Sequence, residues 1–155
     1  MNRETEKLSI ETGIANLQSR NGLMQKSDLN ASNANLELRT KTFALHIIRF
    51  VADLPKTRTT DVLGYQLLKS STSIGANYRE ARRAESLDDF IHKIGIVEKE
   101  ANEAKYWLEL FNEANIGDAH QRTSLLDEAS ELLAIFTSSG KTAKANRQKT
   151  RGGKQ

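Results

Sequence analysis

Apolar and small residues recur along this chain at alternating steps of four and three. Leu63, Leu67, Ser70, Ile74, Asn77, Ala81 and Ala84 form one such stripe. Phe90, Ile94, Val97, Ala101, Ala104, Leu108 and Phe111 form the most regular one. Steps of four and three keep side chains on one side of an α-helix, so each stripe predicts a helix packed against other helices. Ahead of them, Phe43, Ala44, Ile47, Ile48, Val51 and Leu54 make a broad apolar face at helical spacing. Behind them, Leu125, Leu126, Ala129, Leu132, Leu133 and Phe136 make a fourth. The sequence shows neither a strand pattern nor an internal repeat.

The boundaries follow from local chemistry. Order is expected to begin near Leu36. Pro55, the only proline, stops the first helix because the residue before a proline is pushed out of the helical region. Thr59 or Thr60 can cap the second helix, with Asp61 in its first turn. Gly64 and Gly75 each weaken that helix by roughly 1 kcal/mol relative to Ala, a cost that close approach of a neighbouring helix would offset. Ser86 caps the third helix, with Asp88 and Asp89 behind it. Residues 115–118 read as a turn, and Ser138, Ser139 and Gly140 as the end of the fourth helix. Short connections make an all-α, antiparallel up-and-down four-helix bundle the expected fold. The domain is expected over residues 35–139, between a polar, disordered segment 1–34 (a frayed turn near Ile10 to Leu17 aside) and a disordered basic tail 140–155.

The third helix carries more apolar residues than one seam needs. Ile96, Glu100, Glu103, Trp107 and Leu110 repeat at four and three on a second face. A helix apolar on two sides is usually covered on two sides, which predicts self-association with Trp107 as an anchor. The alternative is that Trp107 rests on the rim of its own core. Carboxylates among apolar neighbours need partners, and Arg79, Arg82 and Arg83 on the preceding helix are the candidates for Glu100 and Glu103. Ser70, Gly75 and Asn77 read as packing and register choices, since a polar residue inside a seam can fix partner and register.

Charge divides the chain. The 155 residues carry a net +3, but six of the basic residues lie in 141–155, which has no acid. Without those six, 17 basic residues stand against 20 acidic ones, so the rest is net −3. Basic residues that could meet a phosphate backbone are Lys69, Arg79, Arg82 and Arg83, together with Lys141, Lys144 and Arg147 of the tail. The competing reading makes the three arginines ion-pair partners of Glu80, Glu85, Glu100 and Glu103.

Little points to catalysis. The absence of Cys excludes disulfides and thiolate chemistry. Asp89 and His92 have half the spacing of a bundle di-iron site, but no second copy exists, and a capping-turn pair is the simpler reading. Ser70, Ser71 and Ser73 lack a neighbouring base, and Gly64 and Gly75 do not form a phosphate loop. A non-enzymatic protein without cofactor or metal is expected. No apolar run approaches a membrane span and the N-terminus does not read as a signal sequence, so a cytoplasmic location is expected.

Four blocks carry a family resemblance. They are 63–70 from Leu63 to Ser70, 73–81 from Ser73 to Ala81, Asp89 and Phe90 with Lys93 and Ile94, and Glu100 to Glu103 with Trp107 and Leu108. Over roughly Phe43 to Phe136 the chain resembles the bacterial four-helix-bundle family named for reading frames inside intervening sequences of 23S rRNA genes. The resemblance implies a small antiparallel bundle that assembles into a homo-oligomeric ring, commonly a pentamer. It also implies kinship with the accessory protein of diversity-generating retroelements, a basic barrel that binds nucleic acid and the reverse transcriptase. RNA or DNA, another protein, or the chain itself are therefore the expected partners. This bundle is net acidic, unlike that relative.

Overall fold

A computed structural model describes residues 26–152. Among them, four helices run in sequence: α1 (Lys26–Ala52), α2 (Arg58–Arg82), α3 (Leu87–Glu113) and α4 (Ala119–Gly152). Consecutive helices are antiparallel neighbours and α1 returns to α4, so the chain is the expected all-α, up-and-down bundle. The expected frayed turn near Ile10 to Leu17 lies outside the described residues.

The core is the sum of the stripes. Phe43, Ile47, Phe50, Leu67, Ile74, Phe90, Ile94, Val97, Leu108, Phe111, Leu132 and Phe136 are all buried. Phe50 of α1 meets Phe111 of α3 edge-on across the bundle, with ring centroids 5.4 Å apart. Tyr78 of α2 meets Phe136 of α4 at the same separation. These two diagonal contacts fix the relative heights of the four helices.

The helix ends show where the sequence reading needs correction. The cap of α2 is Thr57, ahead of the expected Thr59 or Thr60. Thr57 Oγ1 accepts from the Thr60 N–H at 3.2 Å and the Thr57 N–H donates to Thr60 Oγ1 at 3.0 Å. Ser86 caps α3 as expected, accepting from the Asp89 N–H at 3.1 Å. Asp89 turns back to the Glu85 N–H and to Lys93 Nζ, at 3.1 and 2.9 Å, and not to His92. In the turn before α4, Asn115 and Gly117 adopt positive φ of 54° and 85°. A Cβ on Gly117 would also lie 2.7 Å from the Phe50 ring, so space and conformation both require glycine there.

Two boundaries move further. α1 starts at Lys26, inside the segment expected to be disordered. α4 does not end at Gly140 but continues to Gly152, through most of the expected tail. Ser139, Gly140 and Ala143 are buried, and a Cβ on Gly140 would sit 3.7 Å from Ile94 and Glu98. The small residues read as a stop signal are where α4 passes close to α3.

α2 carries two adjoining seams. The predicted stripe through Leu67, Ser70, Ile74 and Ala81 is buried, with Asn77 only partly so. A second stripe, Gly64, Leu68, Ser71, Gly75, Tyr78 and Arg82, meets α1. A Cβ on Gly64 would stand 2.9 Å from Val51, and one on Gly75 3.2 Å from Thr40 Oγ1. The close approach expected at both glycines is therefore that of α1.

Candidate functional site

The chain's path brings the C-terminus of α2, the N-terminus of α3 and the C-terminal part of α4 to one end of the bundle. The candidate basic residues are sorted there. Arg82 pairs with Glu37 of α1 at 2.5 Å. Arg79 and Arg83 are exposed and make no ion pair with a described residue. Their expected partners Glu100 and Glu103 are out of reach: an antiparallel turn at 83–86 puts Arg82 beside the start of α3, on the order of 20 Å from Glu100 along the axis. The Arg–Glu network between α2 and α3 is replaced by one pair between α2 and α1.

The continuing α4 delivers Lys141 and Lys144, both exposed, to the same end. Arg147 is committed elsewhere. It donates to Asp88 Oδ1 at 2.9 Å, and Arg151 donates to Asp88 Oδ2 at 3.1 Å. The hydrogen bond from Arg147, more than the nearby charges, holds the Asp88 carboxyl below its ordinary range. These pairs pin the last turns of α4 to the start of α3. Lys69 is exposed, but lies about 15 Å along α2 from Arg79. Arg79 and Arg83 on α2 and Lys141 and Lys144 on α4 are thus exposed toward one end of the bundle, on diagonal helices, while Lys69 lies further along α2 and Arg82 and Arg147 are held in ion pairs.

The second face of α3 is half-buried at Ile96, Glu100, Glu103, Trp107 and Leu110. Trp107 packs on its own core, its indole N–H directed to Glu103 Oε1 at 3.4 Å and its ring 5.0 Å from Tyr106. This is the rim position weighed as an alternative, and it still leaves part of the ring facing outward. The residues read as register choices act locally. Ser70 Oγ donates to the Gln66 carbonyl at 3.0 Å and Asn77 Nδ2 to the Ser73 carbonyl at 2.8 Å, both within α2. Asn77 makes no hydrogen bond to another described helix, so Gly75 alone of the three is set by a neighbour.

The sequence reading missed a larger surface. Leu38, Leu45 and Ile48 on α1, with Val62 and Tyr65 on α2, are between 44% (Leu45) and 64% (Tyr65) exposed. Ile48 belongs to the broad apolar face predicted for the first helix, yet it is exposed. The signal was available, because Leu38, Leu45 and Ile48 follow one another at seven and three. Beside them a groove of about 690 Å³ separates α1 from α4, with Leu38, Phe43, His46, His120 and Leu125 on its walls. Arg39 bridges it, donating to Glu128 at 2.6 and 2.8 Å and also to Glu131. The Glu128 hydrogen bond raises the guanidinium above its ordinary value. Among the described residues no group of three His, Asp or Glu side chains is placed to hold a metal, and no helix is long and apolar enough to cross a membrane.

Residues 35–138 match the model of the 23S rRNA-intervening sequence protein family. Among solved structures, a protein of unknown function from the S23 ribosomal protein family of Bacteroides thetaiotaomicron VPI-5482 is similar. It is 36% identical, covers 70% of this chain and 97% of its own, and superposes with a TM-score of 0.64. Comparison with curated proteins gave no match. On the four-helix fold, the matched span and this neighbour, the chain belongs to the 23S rRNA-intervening sequence protein family.

Proposed function

We propose that this protein is a non-enzymatic, self-associating bundle that holds RNA on its basic end. The observation supporting the reading is that Arg79 and Arg83 of α2 and Lys141 and Lys144 of α4 are all exposed toward the same end of the bundle. Glu80, Glu85 and Asp88 lie at that end too, so one copy offers only a modest excess of positive charge. Repetition in a symmetric assembly multiplies that excess, and a ring of small patches can follow a phosphate backbone that one patch cannot hold. The net acidic remainder of the domain confines binding to that end. The family and the Bacteroides neighbour carry rRNA and the ribosome in their names, and neither name states an activity. The half-buried Ile96, Trp107 and Leu110 supply one side of the contact between copies.

Titration of a structured RNA at several salt concentrations tests this. Affinity should fall steeply with salt, and replacing Arg79, Arg83, Lys141 and Lys144 by Ser should flatten that dependence while the helical signal and melting temperature persist. An assembled, folded protein with no salt-dependent RNA binding would instead favour a scaffold for another protein.

A further inference from the structure

Self-association leaves open which surface receives the α3 face. We propose that it is the outer face of α1 on a second copy, joined head to tail; this rests on the self-association just proposed. α1 and α3 are diagonal helices of one bundle, so their outer faces point away from each other. A chain with two different outward faces that fit each other makes a heterologous contact, the kind that generates rings.

Register and charge select this occupant. α1 and α3 are each 27 residues long and run parallel, and the contact of Phe50 with Phe111 sets their heights. By that offset Lys41 is level with Asn102, between Glu100 and Glu103. Leu45 and Ile48 are level with Tyr106 and Glu109, beside Trp107 and Leu110. A second copy placed alongside without axial shift therefore sets Leu45 and Ile48 on Trp107 and Leu110, and Lys41 against Glu100 and Glu103. Lys41 is exposed, Glu100 half-buried, and neither has an ion-pair partner among the described residues. Exposed apolar side chains grouped on one helix face mark a contact surface, and the absence of axial rise lets successive copies close instead of forming a filament.

The test is native mass measurement on the full chain and its variants at tens of micromolar. The wild type should be a discrete oligomer. Leu45→Ser with Ile48→Ser should shift it to monomer while the helical signal persists, since both side chains are already exposed on the single bundle. Lys41→Glu and Glu100→Lys should each weaken assembly about tenfold, and together restore it to near the wild-type level. If the wild type assembles and the Leu45 and Ile48 replacements leave assembly intact, the α1 face is overturned and self-association stands. If the paired charge reversal does not restore assembly, the register is overturned. A monomeric wild type overturns this inference together with the self-association it rests on.

Discussion

α4 closes on α3 through small residues: Ser139, Gly140 and Ala143 are buried, a Cβ on Gly140 would sit 3.7 Å from Ile94, and Thr137 donates to Glu98 at 2.9 Å. α1 is held differently. It meets α2 across a seam of two glycines, Ser71, Tyr78 and Arg82, and stands off from α4 across a groove bridged by Arg39. Ser71 Oγ and Tyr78 Oη are buried in that seam without a hydrogen-bond partner among the described residues. Burial accordingly pushes the Tyr78 phenol well above its ordinary range. Each such group costs about 1–3 kcal/mol. The α3–α4 hairpin with its α2 partner thus holds the fold, and α1 is the weaker element that turns apolar side chains outward.

The largest expected contrast lies in the core. Phe136→Ala, deep between α2 and α4, should cost about 3–5 kcal/mol in denaturant unfolding. Phe43→Ala, whose ring already borders the groove, should fall at or below the bottom of that range, because water and neighbouring side chains can fill the space. Equal costs would break the distinction between the two sides.

Tyr78→Phe sharpens it at smaller scale. Removing a buried hydroxyl that has no partner should leave stability unchanged or raise it by about 1 kcal/mol, read from the denaturant midpoint. A loss of similar size would mean that the hydroxyl has a partner and that the α1 seam is better satisfied than described.

Acid should act on the opposite side. The carboxyl of Asp88 is depressed in the folded state, so its contribution is fully present above its unfolded value and is lost as pH falls through the folded one. Amide exchange over residues 144–152 should therefore quicken in that acidic window, once the intrinsic pH dependence of exchange is removed. In the Asp88→Asn variant the same region should exchange faster already at neutral pH.

The regular parts of this arrangement were legible in the sequence. The stripes of α2 and α3 gave their helices, the Ser86 cap and the fold, because steps of four and three have one structural meaning. Other features depend on the neighbour. Gly140 reads as a stop when α4 is considered alone and as a close approach once Ile94 is beside it. Arg82 has four acidic candidates in the sequence, Glu80, Glu85, Glu100 and Glu103, and only the packing of α1 selects Glu37. Leu38, Leu45 and Ile48 were hidden because Ile48 fits a broad apolar face as readily as an outward one.

Because the sequence contains no Cys, an introduced pair can report the proposed contact without interference. Ile48 and Leu110 lie on diagonal helices with outward faces, so cysteines there cannot pair within one copy. Under mild oxidation the Ile48→Cys, Leu110→Cys variant should form disulfide-linked oligomers, and neither single variant should do so. Cross-linking by a single variant would indicate a symmetric face-to-face contact, and no cross-linking by the double variant would contradict the head-to-tail account.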